Sequence, residues 1–91
     1  DTFSAFNVEE DNVILESVKL AEDGSGDLIL RLYESKKAAV STKVSCSLGI
    51  EEAYLCDMLE NITEAVAVNG DSVELTFGAF EIKTLRVKVQ K

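Results

Sequence analysis

Apolar residues fall in short runs separated by turn-forming residues. The runs are Asn12–Ala21, Asp27–Tyr33, Val40–Leu48, Ala53–Leu59, Ala65–Val68, Val73–Phe77 and Phe80–Val89. Several alternate with a period of two, which places successive side chains on opposite faces of a strand. Leu28, Leu30 and Leu32 share one face, and Ile29, Arg31 and Tyr33 the other. Val40, Val44, Cys46 and Leu48 alternate with Ser41, Lys43, Ser45 and Ser47. Val73, Leu75 and Phe77 alternate with Glu74 and Thr76. β-Branched and aromatic side chains are common in these runs, as a pleated surface favours.

The punctuation fits this reading. Glu22-Asp23-Gly24-Ser25-Gly26-Asp27 predicts a turn whose glycines permit positive φ. Asn69-Gly70-Asp71 predicts a two-residue hairpin turn between Val68 and Ser72. In the last run Ile82 is out of phase with Leu85, Val87 and Val89, and a bulge near Lys83-Thr84 would bring all four onto one face. Glu51–Asn61 is open to two readings. Leu55, Met58 and Leu59 fall at helical spacing, but the place of the segment in a series of short strands favours strand. Many short strands with Gly-rich turns predict an all-β fold, an antiparallel sandwich of about seven strands. At 91 residues the chain is one domain, residues 1–91. A chain of that size buries roughly 60–65% of its unfolded surface, enough to fold with little margin.

Composition removes several functions. The formal net charge is −8, from 17 acidic and 9 basic residues, which disfavours a nucleic-acid partner. No apolar run is long enough to span a bilayer, so no membrane partner is expected. Histidine is absent, which removes Ser-His-Asp triads, Cys-His pairs and His-containing zinc sites. Cys46 and Cys56 are too few for a disulfide framework and read as buried reduced thiols, with a pairing across a turn near Gly49 as the alternative. Few cysteines and the lack of a signal-like opening segment suit the cytoplasm. A first residue of Asp1 rather than Met suits a processed chain or a fragment.

The remaining chemistry is carboxylate-based. Glu9-Glu10-Asp11, Glu22-Asp23 and Glu51-Glu52 are acidic clusters. Neighbours on a strand point to opposite faces, so adjacency does not place two carboxyl groups across a sugar, and solvated charge is the better reading. Asp23, Ser25, Asp27 and Glu34 partly imitate calcium-loop spacing, but Leu28 occupies the position that requires glycine. Arg31 could contact a ligand, although such a residue more often faces solvent or pairs with an acid on a neighbouring strand. Tyr33 and Tyr54 could stack on a sugar, but seven per cent aromatic residues and no tryptophan give such a platform poor support.

Four segments carry a further signal. Ala21 to Glu34, AEDGSGDLILRLYE, resembles the AEDG-G-LILRLYE signature near the C-terminus of glycoside hydrolase family 38 α-mannosidases. Asp57-Met58-Leu59-Glu60 is similar to that family's DLLE stretch, and Phe80 to Val87, FEIKTLRV, to its closing PFEIKTLRL strand. Asn12-Val13-Ile14-Leu15 is similar to its NVVL opening. Ala79 stands where the family usually has Pro, and Leu55-Cys56 replaces a more polar pair. The resemblance implies a parent enzyme that releases terminal α-linked mannose with retention. It implies zinc held by Asp and His in an N-terminal catalytic domain, which also carries the nucleophilic carboxylate. None of those motifs occurs in this chain, so the resemblance assigns it no catalytic residue, no metal ligand and no cofactor of its own. It implies a C-terminal accessory sandwich whose partners are the catalytic and middle domains of the same enzyme, with a mannoside as the parent's substrate. The loop Glu22, Asp23, Gly24, Ser25, Gly26, Asp27 is the part expected nearest another domain, because a Gly-rich turn allows close backbone approach. The alternatives are an independent carbohydrate-binding sandwich and a structural spacer.

Overall fold

A computed structural model describes residues 5–59 and 61–89. They form nine strands: β1 (Phe6–Val8), β2 (Val13–Leu20), β3 (Leu28–Glu34), β4 (Val40–Cys46), β5 (Ile50–Cys56), β6 (Ile62–Val66), β7 (Val68–Asn69), β8 (Ser72–Phe77) and β9 (Ile82–Val89). Every strand pair is antiparallel. One sheet has the order β1-β4-β8-β7 and the other β2-β3-β9-β5-β6. Among the described residues no helix is long and apolar enough to cross a membrane.

The core lies between the sheets. Leu30, Leu32, Leu85 and Val87 from the five-stranded sheet meet Val44, Val73, Leu75 and Phe77 from the four-stranded one, all buried. These are the inward members of the alternating runs, and burying such side chains is the main driving force for folding. The outward members of the four-stranded sheet, Ser41, Lys43, Glu74 and Thr76, are exposed and polar. Leu48 leaves its predicted face. It sits in the turn after β4, where Gly49 N–H donates to Cys46 O at 2.9 Å, and it is exposed.

The strand count rises from seven to nine for local reasons. Three residues of β1 pair with β4 from Phe6↔Cys46 to Val8↔Val44, too short a segment to show a period. The Ala65–Val68 run divides between β6 and β7, which belong to different sheets. The two-residue hairpin expected at Asn69-Gly70-Asp71 is present: Asn69 pairs with Ser72, leaving Gly70 and Asp71 as the two loop residues. Gly70 has φ +69° and Asp71 does not share the positive sign, the pattern of a type II′ turn. A Cβ on Gly70 would meet no atom within 4 Å, so the cost of replacing it is conformational. Gly70→Ala is therefore expected to lower stability by about 1 kcal/mol. Chemical denaturation with an unchanged m-value would check this.

Two expectations are corrected. No bulge occurs at Lys83-Thr84, because β9 pairs with β3 in unbroken register from Ile82↔Tyr33 to Val87↔Leu28. Ile82 therefore stays on the outer face with Thr84 and Arg86, while Lys83 takes the inward register. The sandwich tolerates a lysine there because it lies at the rim. The Lys83 ammonium sits 5.8 Å from the Phe77 ring centroid and 3.5 Å from a Glu81 carboxylate oxygen, so a ring face and a carboxylate meet the charge. Register shifts occur instead at Leu15/Ser17, Leu55/Cys56 and Ile50/Glu52. The second correction concerns Ala53–Leu59. The strand ends at Cys56, and Asp57–Leu59 form a turn. Asp57 Oδ1 accepts the N–H groups of Leu59 at 2.9 Å and Asn61 at 3.0 Å, which closes the turn and turns Met58 and Leu59 outward. No disulfide joins Cys46 and Cys56: Cys46 is buried and Cys56 half-buried, on strands of different sheets.

Candidate functional site

Two polar clusters organise the molecule, and each recruits residues singled out from the sequence. The first centres on Glu34. Counting by two from Leu28 brings Leu30, Leu32 and then Glu34 to the inward face, and Glu34 is fully buried. Its Oε1 accepts N–H from Phe80 at 2.9 Å and Ala38 at 3.1 Å. Its Oε2 accepts N–H from Lys36 at 2.8 Å and the Asn12 side-chain amide at 3.4 Å. Burial pushes the carboxyl up, but the backbone donors of Phe80, Lys36, Ala38 and Lys37 outweigh it and hold the group below the ordinary carboxylate range. Lys37 and Phe80 both have φ +57°, unusual for residues with a side chain. Both lie in the segments that wrap Glu34, so the carboxylate collects the N–H groups that these two sharp turns release. Glu34 ties the loop after β3 to the loop before β9.

The second cluster centres on Arg86 of β9. Its Nε donates to Asp27 Oδ2 at 2.7 Å, and one terminal nitrogen donates to Asp23 Oδ2 at 2.7 Å and Ser25 Oγ at 3.0 Å. The loop supports itself through Ser25 N–H on Asp23 Oδ1 at 3.0 Å, Asp27 N–H on Ser25 Oγ at 3.1 Å, and Ala21 N–H on Asp27 O at 2.8 Å. Gly24 and Gly26 take φ +78° and +84° in this loop. Hydrogen bonds from Arg86 and Ser25 hold the Asp23 carboxyl far below its usual range, and Asp23 and Asp27 raise Arg86 in turn. The calcium-like spacing is thus explained without a cation. Asp23, Ser25 and Asp27 serve Arg86, while Glu34 serves backbone donors at the other end of β3. Arg86→Ala leaves the half-buried Asp27 without its partner. The expected result is a loss of about 1–3 kcal/mol and faster amide exchange across residues 22–27. Hydrogen-exchange mass spectrometry resolves both.

Other candidates separate. Asp11 pairs with Lys36 at 3.3 Å and Glu51 with Lys88 at 3.3 Å, both exposed pairs of small energetic weight. Tyr54 donates its hydroxyl to Glu52, and that bond, with burial and the Glu52 charge, raises its pKa. Arg31 lies on the outer face between Ser17 and Thr84 and is half-buried. Among the described residues no group of three or more acidic or cysteine side chains could hold a metal ion. The zinc that the resemblance implies thus finds no ligand set in them. The carboxylates gathered most closely around a centre, those of Glu34, Asp23 and Asp27, are taken up by backbone N–H groups and by Arg86. What this arrangement can do chemically is hold shape.

The fold and these clusters define a β-sandwich domain, and comparison places it. Residues 12–85 match the family model of the glycosyl hydrolases family 38 C-terminal beta sandwich domain, and the chain belongs to that family. It is 37% identical over 93 residues to Alpha-mannosidase 2C1 of Mus musculus, and equally to Alpha-mannosidase 2C1 of Homo sapiens. Each comparison covers 98% of this chain and 9% of the relative, so the chain spans under a tenth of the length of these curated relatives.

Proposed function

We propose that this chain is an accessory domain of an α-mannosidase, supporting the catalytic domain without carrying the chemistry. The observation that carries this reading is the engagement of its most enclosed charged groups. Glu34 is saturated by backbone donors and Arg86 by Asp23 and Asp27, so each braces a turn and none is left to attack or protonate a glycosidic bond. The α-mannosidases it is similar to are more than ten times its length, which leaves room for a catalytic domain with zinc, its Asp and His ligands and the nucleophile outside these residues. The partners on this reading are the catalytic and middle domains of the same polypeptide, and the substrate is the parent's terminal α-linked mannoside. A pair of cysteines not bridged to each other suits a reducing compartment such as the cytoplasm.

The test is removal of these residues from the full-length parent. Activity on an aryl α-mannoside is expected to fall roughly tenfold or more, because small displacements of a catalytic constellation are costly. Full activity in the shortened enzyme would refute the supporting role and leave a spacer.

A further inference from the structure

The two outer faces of the sandwich differ in kind. That of the four-stranded sheet is a lattice of short polar side chains, with Ser41 and Thr76 hydroxyls 3.0 Å apart and exposed Lys43 and Glu74 beside them. The five-stranded sheet carries Ile14, Tyr33 and Ile82 in one cross-strand row. Ile82 is 63% exposed and Phe80, next to it, 60%. The Asp57 turn adds Met58 and Leu59, each 82% exposed. Phe80 is held in its left-handed conformation by Glu34, so a buried carboxylate fixes an aromatic ring outside the core. In the middle of this face, bordered by Met58, Ile29 and Thr84, is Arg31. The chain has 17 acidic residues, yet among the described residues none reaches the half-buried Arg31 guanidinium with an ion pair or hydrogen bond. Large exposed apolar patches around an unanswered charge mark an interaction surface.

We propose that the outer face of the five-stranded sheet, centred on Arg31, docks against the preceding domains of the parent polypeptide, through a facing patch that is apolar and presents a carboxylate to Arg31. The proposal rests on the reading of this chain as a domain of a larger α-mannosidase. The occupant follows from two facts. Some nine-tenths of the relatives' length lies outside the region matched here. The charge left unanswered is a cation on an otherwise acidic domain, which selects an acidic counterpart. The loop Glu22–Asp27 borders the same face, since Asp23, Leu59, Asn61 and Arg86 line one groove. Asp23 and Asp27 lock that edge in shape by gripping Arg86.

The test uses the full-length enzyme. Ser17 and Ser41 lie on the two outer faces, Ser17 opposite Arg31 and Ser41 opposite Thr76. Ser17→Cys and Ser41→Cys variants are alkylated under native conditions and read by peptide mass spectrometry, with buried Cys46 as the internal control for an intact sandwich. The expected result is labelling about tenfold or more slower at position 17 than at 41, as burial in an interface requires. Arg31→Glu in the Ser17→Cys background is expected to raise that rate toward the rate at 41, while Arg31→Lys leaves it low and Cys46 stays unlabelled. Equal rates at the two positions, or protection at 41 instead, would overturn the proposal even if Arg31→Glu unfolded the domain. Protection that disappears on tenfold dilution would assign the face to a second copy and overturn it too. An Arg31→Glu enzyme that keeps position 17 protected would overturn the facing carboxylate. A failed accessory reading shows elsewhere, as full activity in the enzyme lacking this domain.

Discussion

Glu34→Gln is expected to lower the thermal midpoint of the domain by about 10 °C at neutral pH, since orphaned buried donors are costly and small domains convert each kcal/mol into several degrees. The amide would turn an NH₂ group toward N–H groups that now meet a carboxylate oxygen, leaving part of the Phe80, Ala38 and Lys36 set unanswered. The effect depends on pH in a defined sense. The folded-state carboxyl is held below its usual value, so its contribution is present above the unfolded-state value of about 4.3 and is lost as pH falls through the folded value. The gap between native and Glu34→Gln domains should be full above about pH 5 and should narrow on acidification. Asp23, Asp57 and Glu81 are also held low, so the native domain has an acid limb from several groups, and the difference between the two proteins isolates Glu34. Thermal melts by circular dichroism from pH 3 to pH 7 measure it. A gap that does not change with pH would refute the role given to the carboxylate.

The second large effect is expected at Phe77. Its ring is completely buried where β8 meets the five-stranded sheet, and it heads the fully buried side chains by volume. Phe77→Ala removes that ring and leaves a cavity, at a cost of about 3–5 kcal/mol. A domain of this size has about 5–15 kcal/mol in total, so the variant should be partly unfolded at body temperature. Phe80→Gly supplies the contrast. Phe80 is exposed and has φ +57°, which glycine adopts without strain, so its replacement should change stability by no more than about 0.5 kcal/mol. Denaturant titration of both variants separates a ring that holds the core from one that faces outward. Similar losses in the two would contradict that assignment.

Much of the fold was legible because alternation is a local property. The Leu28-Leu30-Leu32 face, the Val44-Cys46 face and the Val73-Leu75-Phe77 face all pack inward as their period predicts. Three short features escaped for physical reasons. β1 is too brief to show a period. Ile82 looks like a misplaced core residue because its outward register is decided by pairing with Tyr33, not by its own hydropathy. Asp57-Met58-Leu59 reads as more strand because the turn is made by an aspartate side chain, which apolar patterning does not record. The clusters were legible only in part. The loop Glu22–Asp27 was visible from its glycines, but its clasp by Arg86 spans some sixty residues and leaves no local trace. Glu34 could have been found: it continues the inward count from Leu28, and a carboxylate at a core position demands donors.

On the function proposed above, this sandwich shapes an α-mannosidase and performs none of its chemistry. The most direct measurement gives the purified chain an aryl α-mannoside with zinc, at concentrations where the full-length parent turns over readily. Released phenol is predicted to stay at the buffer background. Sustained release that follows the chain through purification would contradict that role.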